Sequence, residues 1–142
     1  MNAFDAYSHA IVSIALFGLI TLLLAPLSAV RKQKDGLVAG AAPASDYSNP
    51  TYRWYRAHLN ASETIGVFTG MVAAAILAGA APFWVNLAAS LFLVSRIGHV
   101  IVHVGGIGPA NFGPRTFLYV FGWLMCIVLG LLAIFAAFSG SG

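Results

Sequence analysis

The chain has 142 residues, 60% of them hydrophobic and only 8% charged, with a mean hydropathy of +0.88 and a formal net charge of +3. A soluble domain carries about 25% charged residues, so this composition excludes an ordinary soluble fold and points to one integral membrane bundle with no second domain. The pI of about 9.4 does not signal a nucleic-acid partner, because the basic residues are too few and too confined in position, and the single Cys126 excludes an intramolecular disulfide.

The first apolar stretch runs from about Tyr7 to Val30, which is long enough to span a bilayer. Asp5 precedes it rather than a basic segment, so it reads as a helix and not as a cleavable signal peptide. Pro26 lies near its end, where neighbouring helices tolerate a kink. Arg31-Lys32-Gln33-Lys34 closes it. Residues 35–50 are rich in Gly, Ala, Ser and Pro, carry Asp35 and Asp46, and read as a loop. Tyr52, Trp54 and Tyr55 fit an interfacial aromatic belt, with His58 close by.

From Ile65 to Ser95 there is no charge for 31 residues. That is too long for one span and too short for two spans of about 20 residues plus a turn. Gly79-Ala80-Ala81-Pro82 is the natural turn, since proline disfavours helix in the residue before it. The second and third helices, at about 57–80 and 83–104, therefore extend outward to gain length. One reaches back through Glu63 and Asn60, the other on through Arg96, His99 and His103. Residues 104–114 read as a flexible connection. Within it, Gly105-Gly106-Ile107-Gly108-Pro109 lacks the Gly-Lys-Ser/Thr ending and the strand context of a phosphate loop. The fourth helix covers about 116–138, with Cys126 as a small buried hydrophobe and a short polar tail after it.

The expected fold is thus all-α, an integral membrane four-helix bundle forming a single domain over 1–142. All seven basic residues (Arg31, Lys32, Lys34, Arg53, Arg56, Arg96 and Arg115) fall at one end of it. The positive-inside rule makes that end cytoplasmic, with both termini on the other side. The expected location is a bacterial inner membrane, multi-pass, with the active face cytoplasmic.

Glu63 lies 17 residues before Ala80, and His99 lies 17 after Pro82. At about 1.5 Å per residue the two sit at similar depth, roughly 25 Å from the turn. Arg56, Asn60 and Glu63 share one helical face at i, i+4, i+7; Arg96, His99 and His103 share another at i, i+3, i+7. Two polar stripes at matching depth form either a polar pocket or a buried ion-pair network. Arg96 reads as a structural partner for Glu63 or for a helix-end carbonyl. His99 and His103 lack a clear third ligand, so no metal site is expected.

The segment Tyr55-Arg56-Ala57-His58-Leu59-Asn60-Ala61-Ser62-Glu63 resembles the signature that opens the second helix in the MAPEG family, the membrane-associated proteins of eicosanoid and glutathione metabolism. Phe68 fits the apolar stretch that follows the signature, and Arg96 and Arg115 match arginines of the third and fourth helices. The resemblance implies a homotrimer with glutathione bound between neighbouring subunits near the cytoplasmic face. By position, it implies that Arg56, Asn60 and Glu63 hold glutathione, that Arg31 approaches it, and that Arg115 stabilises its thiolate as the catalytic residue. His99 and His103 fall where family tyrosines contact glutathione, and Thr64 replaces another. These departures argue against leukotriene or prostaglandin chemistry.

The leading expectation is a glutathione transferase or peroxidase. It uses glutathione as co-substrate and takes an apolar electrophile or lipid hydroperoxide from the bilayer. The alternative is a non-catalytic trimeric membrane scaffold of the same fold. A transporter is disfavoured by the uncharged run from Ile65 to Ser95, which leaves no polar path across the membrane.

Overall fold

The computed structural model describes residues 4–140. A single 3-10 turn, Asp5–Tyr7, leads into four helices: α1 (Ser8–Lys34), α2 (Pro50–Leu77), α3 (Pro82–Gly105) and α4 (Pro114–Ser139). Each is long and apolar enough to cross a membrane. Among the described residues there is no strand. Of the expected polar tail, Ser139 closes α4, while Ser141 and Gly142 lie outside the described residues.

Proline sets three of the helix starts. Pro50, Pro82 and Pro114 each occupy the first turn, where the missing N–H costs nothing and φ is already helical. At α2 the start is reinforced by Asn49, whose side chain accepts from the Thr51 N–H at 2.8 Å. This cap explains why α2 begins at Pro50 rather than near residue 57. The helix stops at Leu77, with Gly79 in the left-handed region at φ +71°. Helix α1 runs unbroken across Pro26, and Arg31, Lys32 and Lys34 form its last turn.

The bundle is apolar on its outer surface as well as in its core, with buried polar residues at its basic end. Leu22, Leu77, Phe135 and Phe138 point outward, Phe138 at 81% exposure, whereas Arg96, His99 and His103 are at most 2% exposed. Apolar residues on the outside suit a lipid surround. The centre is an aromatic knot. Phe68 stacks on Phe92 at 3.8 Å, and Phe17 meets Phe92 edge-on at 5.1 Å and Phe68 at 6.1 Å. Alanines 10, 61, 75, 88 and 89 fill the space around it and let the helices approach closely.

At the end away from the basic residues, the start of α1 is tied to α3. Asn86 accepts from the Ala10 N–H at 3.0 Å and donates to the Ala6 carbonyl at 2.7 Å. The Tyr7 hydroxyl donates to the Ala80 carbonyl at 2.6 Å. At the basic end, Lys32 donates to the Ala41 carbonyl at 3.2 Å. Ser48 donates from its hydroxyl and its N–H to Asp46, which holds that carboxyl below its usual 3.8.

Candidate functional site

The basic end of the bundle contains a cavity of about 290 Å³. Helix α2 contributes Arg56, Asn60 and Glu63 to its wall. Helix α3 contributes His99 and His103, and α4 contributes Arg115, Thr116 and Tyr119; Tyr47 enters from the α1–α2 loop. Two arginines, one carboxylate, one amide and two imidazoles therefore converge on one space. Larger grooves lie elsewhere, at Pro26–Gly40 and around Ser8 and Ser90, with mainly apolar walls.

The i, i+4, i+7 stripe of α2 is visible as geometry. The Arg56 guanidinium donates weakly to the Asn60 side-chain oxygen at 3.4 Å. Asn60 is nearly buried, while Glu63 is exposed on the outer surface of the chain. The α3 stripe is deeper. His99 and His103 rings stand 5.3 Å apart. Both ring nitrogens of His103 are buried and make no hydrogen bond. A neutral imidazole carries one donor and one acceptor, and this ring uses neither within the chain. Among the described residues, no third His, Cys, Asp or Glu joins the two histidines in a metal-binding group.

Arg115 is the second residue of α4. Its guanidinium donates to the carbonyls of Pro109, at 3.3 Å, and Ala110, and lies 4.0 Å from the Tyr47 ring centre. The connection it grips is braced rather than loose. Gly106 and Gly108 take φ of +66° and +88°, and Gly108 packs so closely on Pro114 that a Cβ there would lie 2.7 Å from its ring. Arg53 completes the bracing. It donates from Nε to the Val104 carbonyl at 3.1 Å, and from Nη1 to the Tyr47 and Ser48 carbonyls at 2.8 and 2.9 Å.

Arg31, Lys32 and Arg96 are not among the residues lining the cavity. Arg31 is exposed, with its guanidinium 4.9 Å above the Trp54 ring. Lys32 sits 5.3 Å over Tyr55. Arg96 does not pair with Glu63 or a helix-end carbonyl. It is 2% exposed, donates from Nη2 to the Tyr119 carbonyl within α4 at 3.2 Å, and is sandwiched between the Phe92 and Tyr119 rings at 5.1 and 4.6 Å. Its Nε and Nη1 make no hydrogen bond. Gly122 makes this possible: a Cβ there would lie 2.9 Å from Arg96 Nε and 2.6 Å from Ser95 Oγ.

Sequence reasoning missed Tyr47, Thr116 and Tyr119. Tyr119 and Thr116 were legible in principle, one turn apart on the face that begins with Arg115. Tyr47 lies in a loop, where no periodicity assigns direction.

A comparison with curated proteins finds no match. The model of the MAPEG family matches residues 9–135, which takes in all of the cavity's wall.

Proposed function

The chain belongs to the MAPEG family, and on that premise we propose that it is a glutathione-dependent membrane enzyme. It joins the glutathione thiolate to an apolar electrophile, or reduces a lipid hydroperoxide. The observation that most supports this is the meeting of Arg56, Asn60, Glu63, His99, His103 and Arg115 around one cavity. Glutathione carries two carboxylates and an ammonium. Arginine suits the first and a carboxylate the second, through charge-assisted hydrogen bonds.

In this reading Arg56 and Asn60 hold carboxylate and amide groups, Glu63 holds the ammonium, and His99 and His103 complete the polar wall. Arg115 faces the sulfur. A free thiol ionises at about 8.5, and a fixed cation nearby favours the thiolate. Each unit of lowering is worth about 1.4 kcal/mol. In conjugation, the sulfur lone pair forms the new C–S bond; a leaving group departs with its bonding pair, or the displaced electrons take up a proton. In peroxide reduction, sulfur attacks one peroxide oxygen and the O–O bond breaks, releasing the alcohol. A second glutathione then yields the disulfide and water. Holding both reactants together supplies the proximity term.

The basic end faces the cytosol in this proposal, and glutathione enters there, while the apolar partner arrives from the bilayer. The site is shared between copies of a homotrimer. Glu63 is exposed on the outer surface, and Arg31 lies away from the cavity of its own chain, as expected if each completes a site with a neighbour. The test is isothermal titration of glutathione into the detergent-purified protein, with the thiolate absorbance followed in the ultraviolet. Saturable binding with a thiolate band supports the reading. No binding overturns it and favours a non-catalytic scaffold. One observation favours that rival: the Thr64 hydroxyl turns back onto the Asn60 and Ala61 carbonyls at 2.8 and 3.3 Å, so it serves its own helix rather than a ligand.

A further inference from the structure

We propose that Tyr47, in the loop between α1 and α2, is the positioning residue for Arg115, its ring forming the seat that holds the guanidinium at the cavity. For its effect on turnover, this rests on the glutathione reading above.

Arg115 stands in the first turn of α4, where the helix dipole presents its positive end to a cation. The place is unfavourable for the charge, so other groups must hold it. Two of them are the carbonyls of Pro109 and Ala110, and the third is the face of Tyr47, with 4.0 Å from guanidinium carbon to ring centre. A cation within about 6 Å of a ring face is attracted by the ring quadrupole.

A ring fixes a flexible cation only if the ring is itself fixed. Tyr47 meets Tyr52 edge-on at 5.1 Å and His103 at 5.5 Å. Its carbonyl accepts from Arg53, which also donates to Val104 at the end of α3. The ring is thus clamped by the first turn of α2 and the last turn of α3. It touches the cavity wall through His103 and lines the cavity itself. Without the ring, Arg115 keeps only carbonyls of the short connection preceding it, and its long side chain regains other rotamers.

The test uses the full-length chain in detergent. Phenylglyoxal modifies accessible arginines, and the rate at Arg115 is read by peptide mass spectrometry without glutathione. Tyr47→Phe keeps the aromatic face and should be modified at the wild-type rate. Tyr47→Leu keeps bulk but not the face and should be modified about threefold faster or more. Pentafluorophenylalanine at position 47 keeps the shape while reversing the quadrupole, so it should behave as Tyr47→Leu does even if the leucine variant folds poorly. Turnover with glutathione should fall in the same two variants, with KM changing less than kcat. Equal modification rates throughout overturn the seat, whether or not the protein uses glutathione. Faster modification with unchanged turnover overturns the positioning role. Faster modification in a protein with no glutathione-dependent turnover, wild type included, upholds the seat and sinks the enzymatic reading instead.

Discussion

Arg56 and Arg115 share the cavity but stand differently in it. Arg56 leans along its own helix toward Asn60, whereas Arg115 is gripped by the connection before α4 and by Tyr47. If Arg115 faces the sulfur, Arg115→Ala should lower kcat about tenfold or more while the KM for glutathione changes less, because the lost interaction is mainly with the reactive form. Arg56→Ala should do the reverse, raising KM first. Steady-state kinetics on the two variants decide it, and unchanged turnover in a well-assembled Arg115→Ala protein would leave Arg115 as an anchor. The signature residues were legible because helical spacing puts Arg56, Asn60 and Glu63 on one face, and the uncharged run sets Glu63 and His99 at one depth. What lay beyond reach was partner choice. Nothing in the spacing shows that Arg96 bonds the Tyr119 carbonyl, since that depends on how α4 rotates against α3.

At the level of elements, the contact between α3 and α4 is set by a missing side chain. Gly122 leaves room for the Arg96 guanidinium and the Ser95 hydroxyl. Gly122→Ala would bring a Cβ within 2.6 Å of Ser95 Oγ, an overpacking that should cost about 1–3 kcal/mol. Gly18→Ala is the control, since its Cβ would meet nothing within 4 Å. Thermal unfolding in detergent should show a lower midpoint for Gly122→Ala alone. Equal midpoints would mean that Arg96 repacks freely. The same scale shows what the sequence conveys about helix ends. The turn at Gly79–Pro82 was readable from proline and glycine. The start of α2 at Pro50 was not read, because its signal is the Asn49 cap and N1 proline pair, lying inside a stretch whose composition is that of a loop.

For the molecule as a whole, the one-sided charge and the outward apolar surface set the frame. With the basic end in the cytosol, a cysteine at Gly40 should resist an impermeant maleimide applied to intact cells and react after lysis; labelling from outside would invert the orientation. Native mass spectrometry in detergent should show three chains, and a monomer that binds glutathione fully would count against shared sites. Bundle architecture was legible from apolar run lengths. The number of copies is not written in the alanine- and glycine-rich faces, which allow close approach without fixing a rotation angle.

The burial of Arg96 also bears on how the chain enters a bilayer during synthesis. A charged side chain within a span costs about 2.5–3.5 kcal/mol on insertion at the helix centre. Arg96 shares α3 with His99 and His103, and the carbonyl that receives it belongs to α4. Helix α3 is therefore a poor lodger by itself and should remain partly at the membrane surface until its successor leaves the ribosome. The two would then enter as a hairpin, the last helix acting as an internal chaperone for the third. In released chains truncated after Gly113, a cysteine at Val94 should react with an impermeant maleimide, and in full chains it should be protected. If both are protected alike, α3 inserts unaided.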